Sequence, residues 1–116
     1  MEIQTKVIAG VLVLAPDAVV EIDVGNYREF RDLALQALAD HPRVILDASS
    51  VGFFDSAGMG VLLSLKKKAC GNGGDMFLAG LPPAINEIFQ MIGFDSVFSI
   101  FPDTAAALRE FDKGQD

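Results

Sequence analysis

The chain has one cysteine, one histidine, one tyrosine and no tryptophan. A lone thiol, Cys70, excludes an internal disulfide and fits a reducing compartment. One Cys and one His do not make a metal-ligand set at familiar spacing, so no metal site is expected, and no cofactor either. Basic residues are also few. Nine Lys and Arg stand against 16 Asp and Glu, a formal net charge of −7. Such a field repels phosphodiester backbones and argues against direct nucleic-acid binding. Long apolar runs are missing. The longest near the N-terminus, Val11 to Ala15, is far too short for a bilayer span or a signal peptide. No membrane insertion is expected, and the expected compartment is the cytoplasm.

What is present points to a packed globular unit. Half of the 116 residues are apolar (51%) and only 22% are charged. Nine Phe residues supply large groups to bury. The length predicts one domain spanning residues 1–116. Glu2 to Ile8 and Val11 to Leu14 read as strands around a tight turn at Gly10. Val19 to Ile22 is a further extended piece, an irregular approach to Asp23. Asn26 stands where a helix N-cap belongs, and Tyr27, Phe30, Ala34, Ala37 and Leu38 recur at helical spacing after it. His41-Pro42 stops that helix near Asp40.

Val44-Ile45-Leu46 is a β-branched run that reads as a strand buried on both faces. A loop, Ala48 to Phe54, leads to Ser56. A helix follows, with Val61, Leu65 and Ala69 in one stripe, ending near Cys70 in the Gly71-Asn72-Gly73-Gly74 turn. Met76 to Ala79 is a strand. Pro82-Pro83 opens a helix whose stripe is Ile85, Ile88, Phe89 and Ile92, with Gly93 at its cap. Val97 to Phe101 predicts a last strand, and Asp103 or Thr104 caps a last helix. The fold class is therefore α/β: a small mixed sheet with an N-terminal antiparallel hairpin, then parallel β-α-β-α-β, covered by about four helices.

The chemistry concentrates on GFFDSAGMG, residues 52–60. Ser56 lacks a base, since the only His, His41, reads as an exposed loop residue near the end of another helix, and the stretch is not G-x-S-x-G. Nor is it a phosphate-binding loop of the G-x-x-x-x-G-K-[ST] type. Asp47 ends a buried strand as in phospho-receiver domains, but the first strand is not followed by the acidic pair such a site needs. Asp47 reads instead as a strand-end residue bonding loop N–H groups. Lys66-Lys67-Lys68 reads as a solvated run that complements a helix C-terminus. No catalytic residue is assigned. Asp55 or Ser56 can cap the helix, and a residue there is open to modification. Gly58 and Gly60 weaken the first turn by about 1 kcal/mol each relative to Ala. With no packing return evident in the sequence, they suggest close approach by another molecule.

Read together, RVILDASSVGFFDSAGMGVLLSLKKKA closely resembles the core of the STAS domain of bacterial anti-sigma factor antagonists. There a strand ending in Asp leads through a loop to D-S-[small]-G and a helix, here Asp55-Ser56-Ala57-Gly58. The likeness continues through GNGGDMFLAGLPPAINEIFQMIGFDSVFSIFPDTAAAL. Upstream, IDVGNYREFRDLALQAL is similar to the family's helix entry at Asp23 and Asn26. Two positions depart from the family: Val20 stands where Gly is frequent, and Ala57 where Ser or Thr is frequent. The resemblance implies a phosphoprotein that works by partner switching in transcription regulation. Its unphosphorylated form binds an anti-sigma factor that is also a serine kinase and frees a sigma factor. Phosphorylation of Ser56 ends that binding, and a PP2C-like phosphatase restores it. Asp23, Asn26, Asp55, Ser56, Ala57 and Gly58 are the implied partner-binding residues. The alternative is an unphosphorylated STAS interaction module, either a transporter-associated subunit or a stress-complex scaffold. Self-association is left open by the sequence.

Overall fold

A computed structural model describes residues 1–114. Strands β1 (Ile3–Ile8) and β2 (Val11–Pro16) come first, followed by β3 (Val20–Ile22) and helix α1 (Tyr27–Leu38). Next are β4 (Arg43–Asp47), β5 (Val51–Phe54), α2 (Ser56–Gly71) and β6 (Asp75–Ala79). The chain then forms α3 (Pro83–Met91), a 3-10 turn (Phe94–Ser96), β7 (Ile100–Phe101) and α4 (Thr104–Lys113).

The main sheet has the order β1-β2-β4-β6-β7. β1 and β2 are antiparallel, from Ile3 opposite Pro16 to Ile8 opposite Val11. Their turn, Ala9-Gly10, has positive φ at both residues, the geometry that matches a two-residue hairpin to strand twist. β4, β6 and β7 join in parallel, so the expected mixed sheet is the one found.

Alternation along three strands builds two cores. Leu12, Leu14, Val44, Leu46, Met76 and Leu78 face α1, α2 and α3, which contribute Phe30, Leu38, Leu62, Leu65 and Phe89. Val11, Val13, Ile45, Phe77 and Ala79 face the other way, toward Ala107 and Phe111 of α4. This is why Val44-Ile45-Leu46 has no polar side: both faces are covered.

Four expectations need correction. Val20–Ile22 is a strand, and it pairs in parallel with Val51–Phe54, so the segment read as a loop is half of a two-stranded ribbon outside the main sheet. The last strand is shorter than Val97 to Phe101, because the N–H groups of Val97 and Phe98 donate to the Phe94 carbonyl and are folded into the 3-10 turn. Lys66 is not solvated with its neighbours. It is salt-bridged to Asp75 and lies over the Phe98 ring, while Lys67 and Lys68 remain exposed. His41 is half-buried, not exposed.

The second core rests on few residues. Phe111 stacks on Phe77 with ring centroids 3.9 Å apart. Phe111→Ala should therefore lower stability by about 3 kcal/mol, read as a fall in the urea midpoint. A loss below about 1 kcal/mol would mean that α4 is held by something other than this stack.

Candidate functional site

The site forms where the ribbon meets the start of α2. Ile22 and Phe54, register partners in the ribbon, are both buried in the main core. They bring the chain segments after them, Asp23–Asn26 and Asp55–Gly58, side by side. Asp55 links the two. Its Oδ1 accepts from the Gly58 N–H (2.9 Å) and its Oδ2 from the Val24 N–H (2.9 Å). Its own N–H donates to the Ile22 carbonyl (3.2 Å). Asp55 is thus both the N-cap of α2 and a tie to the other loop.

The second loop is braced from within. Asp23 Oδ1 accepts from the Gly25 N–H (2.8 Å). Asn26 Oδ1 accepts from the Asp23 N–H (2.9 Å), and Asn26 Nδ2 donates to the Glu21 carbonyl (2.7 Å). Asn26 does hold the N-cap position of α1, but its side chain makes no cap bond. It turns back to the strand end, because the Asp23 N–H and Glu21 carbonyl lie within reach there.

Ser56 is the first residue of α2 and is exposed. The cap is Asp55, not Ser56, and among the described residues no hydrogen bond holds the Ser56 hydroxyl. His41 is remote: Asn72, just past the other end of α2, donates to its carbonyl. A 16-residue helix puts that end about 24 Å away. Among the described residues no cluster of three His, Cys, Asp or Glu side chains could hold a metal. Asp47 accepts from the Ser49 N–H (3.0 Å), the strand-end role read from the sequence.

The small residues divide. A Cβ on Gly58 would run into the backbone carbonyl of Ile22, so Gly58 is what lets α2 close onto β3. The reading of Gly58 as room left for a visitor is therefore wrong: the chain itself fills that space. Around Gly60 nothing lies within 4 Å of an added Cβ, and that surface is open. Ala57 is half-buried between them.

The STAS domain description matches residues 2–107. The chain belongs to the STAS domain family. A Bordetella bronchiseptica protein, BtrV, assigned as an anti-sigma factor antagonist, is 32% identical over 69% of this chain and 69% of its own. An anti-sigma factor antagonist from Mycobacterium paratuberculosis has a solved structure 26% identical to this STAS domain, with a TM-score of 0.77 over 94% of this chain and 93% of that one. SpoIIAA, an anti-sigma factor antagonist, shares the fold in its unphosphorylated form (17% identity, TM-score 0.66, 97% of this chain and 99% of that one). The phosphorylated form, from Bacillus, shares it about equally (19%, 0.64, 93% and 98%). Structures of an anion transporter and a sulfate transporter family protein contain the same fold.

In this STAS domain the six residues singled out from the sequence are contiguous. The sequence reading missed their apolar neighbours. Val24 is 76% exposed and Phe53 is 42% exposed. A valine inside the Asp-x-x-Asn loop and a phenylalanine beside the tetrad are the signals that could have found them.

The two glycines test the division. Gly58→Ala should cost about 1–3 kcal/mol through the forced shift of α2 from β3. Gly60→Ala should raise stability by up to about 1 kcal/mol. Thermal melts of the two variants should move in opposite directions, and equal shifts would refute the assignment.

Proposed function

We propose that this chain, as one STAS domain, is an anti-sigma factor antagonist whose unphosphorylated form binds an anti-sigma factor with serine kinase activity, thereby freeing a sigma factor. Ser56 is the phosphorylated residue, and a PP2C-like phosphatase reverses the modification. Asp23, Asn26, Asp55, Ser56, Ala57 and Gly58 mark the place of the contact, with Asp23, Asn26, Asp55 and Gly58 shaping it from within. The chain acts by binding and carries out no catalysis. The observation that carries the reading is Ser56 itself: an exposed hydroxyl at a helix start, with no hydrogen bond among the described residues, in a tetrad that resembles the D-S-[small]-G of anti-sigma factor antagonists. The similarity to BtrV and to the Mycobacterium antagonist supports the same direction.

The physics fits a local switch. A phosphate adds about −1.5 to −2 charges at neutral pH. At the first residue of a helix that charge is favoured by the dipole, so the domain keeps its fold. Neither Asp55, its bonded partners Val24 and Gly58, nor Ala57 brings a cation to the phosphate. The effect falls on the interface instead. Weakening a complex a hundredfold takes only about 2.7 kcal/mol.

The test is capture from the native cytoplasm followed by phosphosite mapping. Ser56→Ala should bind the kinase and resist release, and Ser56→Asp should bind about a hundredfold more weakly. A phosphate mapped to another residue would sink the site assignment. Equal binding by Ser56→Asp and wild type would instead favour the unphosphorylated interaction module.

A further inference from the structure

Two exposed apolar residues, Val24 and Phe53, stand in the segments that adjoin Ser56, although the sequence there reads as acidic. The two nearest carboxylates accept hydrogen bonds from their own chain, Asp55 through both oxygens and Asp23 through one. Asp55 spends both oxygens on the N–H groups of Gly58 and Val24, and Asp23 bonds the Gly25 N–H. What remains for a visitor is the exposed Ser56 hydroxyl together with the side chains of Val24 and Phe53. Val24 is fixed beside Asp55 by its own N–H, and Phe53 stands two residues before Asp55 on the ribbon. The open surface at Gly60 continues this area along α2. At its edge, Glu21 lies opposite Phe53 in the ribbon register, exposed and without an ion pair among the described residues. The chain as a whole carries −7.

We infer that Val24 and Phe53 are the anchors of the partner contact, seated in an apolar pocket of the kinase, with a basic residue of the kinase facing Glu21 at the rim. This rests on the proposed function and specifies the chemistry of the partner. It also assigns the two halves of the contact to different rate constants. Rim charges govern encounter, whereas groups in the desolvated centre govern dissociation. On this inference a phosphate on Ser56 falls within the contact that the two anchors make. It therefore acts on release, even though a negative charge does not hinder approach to a basic rim. The domain sheds its partner without having to become repulsive at long range.

The experiment uses the full chain and the purified anti-sigma serine kinase encoded in the same genome, with association and dissociation measured separately. Val24→Ser and Phe53→Ser should each raise koff about tenfold or more, with kon within about twofold of wild type. Glu21→Lys should lower kon at low salt and weaken its ionic-strength dependence. Met91→Ser is the control, since Met91 is as exposed as Val24 (79% against 76%) but lies at the end of α3, and it should change neither rate. Unchanged melting curves keep the anchor variants interpretable. If both anchor variants bind like wild type while Ser56→Asp still dissociates, the inference fails and the proposed function stands. If the kinase neither binds wild type nor phosphorylates Ser56, the proposed function fails and the inference with it. A wild-type dimer in sedimentation that Val24→Ser or Phe53→Ser dissolves would make these side chains a self-contact and overturn the assignment.

Discussion

One carboxylate holds the working part of this molecule together. The ribbon of β3 and β5 has three and four residues and lies outside the main sheet. An isolated two-stranded pair is marginal in water. Burial of Ile22 and Phe54 anchors the ribbon from below, but it does not set where the segments beyond them go. Asp55 does that, by accepting from α2 with one oxygen and from the Val24 loop with the other. Gly58 is the steric counterpart of this bond. The Asp55 carboxylate can reach both donors only because α2 approaches β3 more closely than any side chain at position 58 would permit. The hydrogen bonds and the missing Cβ are one device, and removing either undoes the other.

That device leaves Ser56 unencumbered. Had Ser56 been the cap, its hydroxyl would face the helix N–H groups and a kinase would have to break the cap to reach it. With Asp55 in the cap, the hydroxyl points to solvent at no cost to the helix. The same arrangement denies a phosphate an easy internal resting place, since the Gly58 N–H is already bonded. On the proposed reading, a phosphate there would act at the interface.

Much of this was legible in the sequence, for physical reasons that differ by element. β2, β4 and β6 were readable because burial on one or both faces leaves a strong apolar pattern, and α3 because Pro82-Pro83 and Gly93 mark its ends. The ribbon was not. Val51–Phe54 contains Gly52, and its partner Val20–Ile22 is three residues long, so neither shows a period that can be counted. Lys66 was misread because its partner Asp75 is nine residues away, beyond helical spacing. The tetrad was legible as a motif, yet its division of labour was not. Residue type alone favours Asp and Ser equally as caps, and a glycine looks the same whether its own chain or a visitor needs the room.

The charge balance then acquires a sense that composition alone did not give. On the proposed reading a phosphorylation switch on an acidic chain adds like to like, and against a basic partner the added charge would strengthen attraction at a distance. The geometry separates the two scales. Asp55 spends both oxygens on N–H groups of its own chain and Asp23 spends one, while Val24 and Phe53 stand exposed in the same segments. Burying two such apolar side chains contributes about 1.5–3 kcal/mol each. Taking an unpaired ionised group out of water costs several kcal/mol. A single phosphate placed within the anchors' contact is therefore of the right size to cancel both. A phosphate on the acidic rim would stay hydrated and change little. On the proposed contact, the burial of Ser56 with the two anchors, more than the charge it can acquire, is what would make the switch decisive.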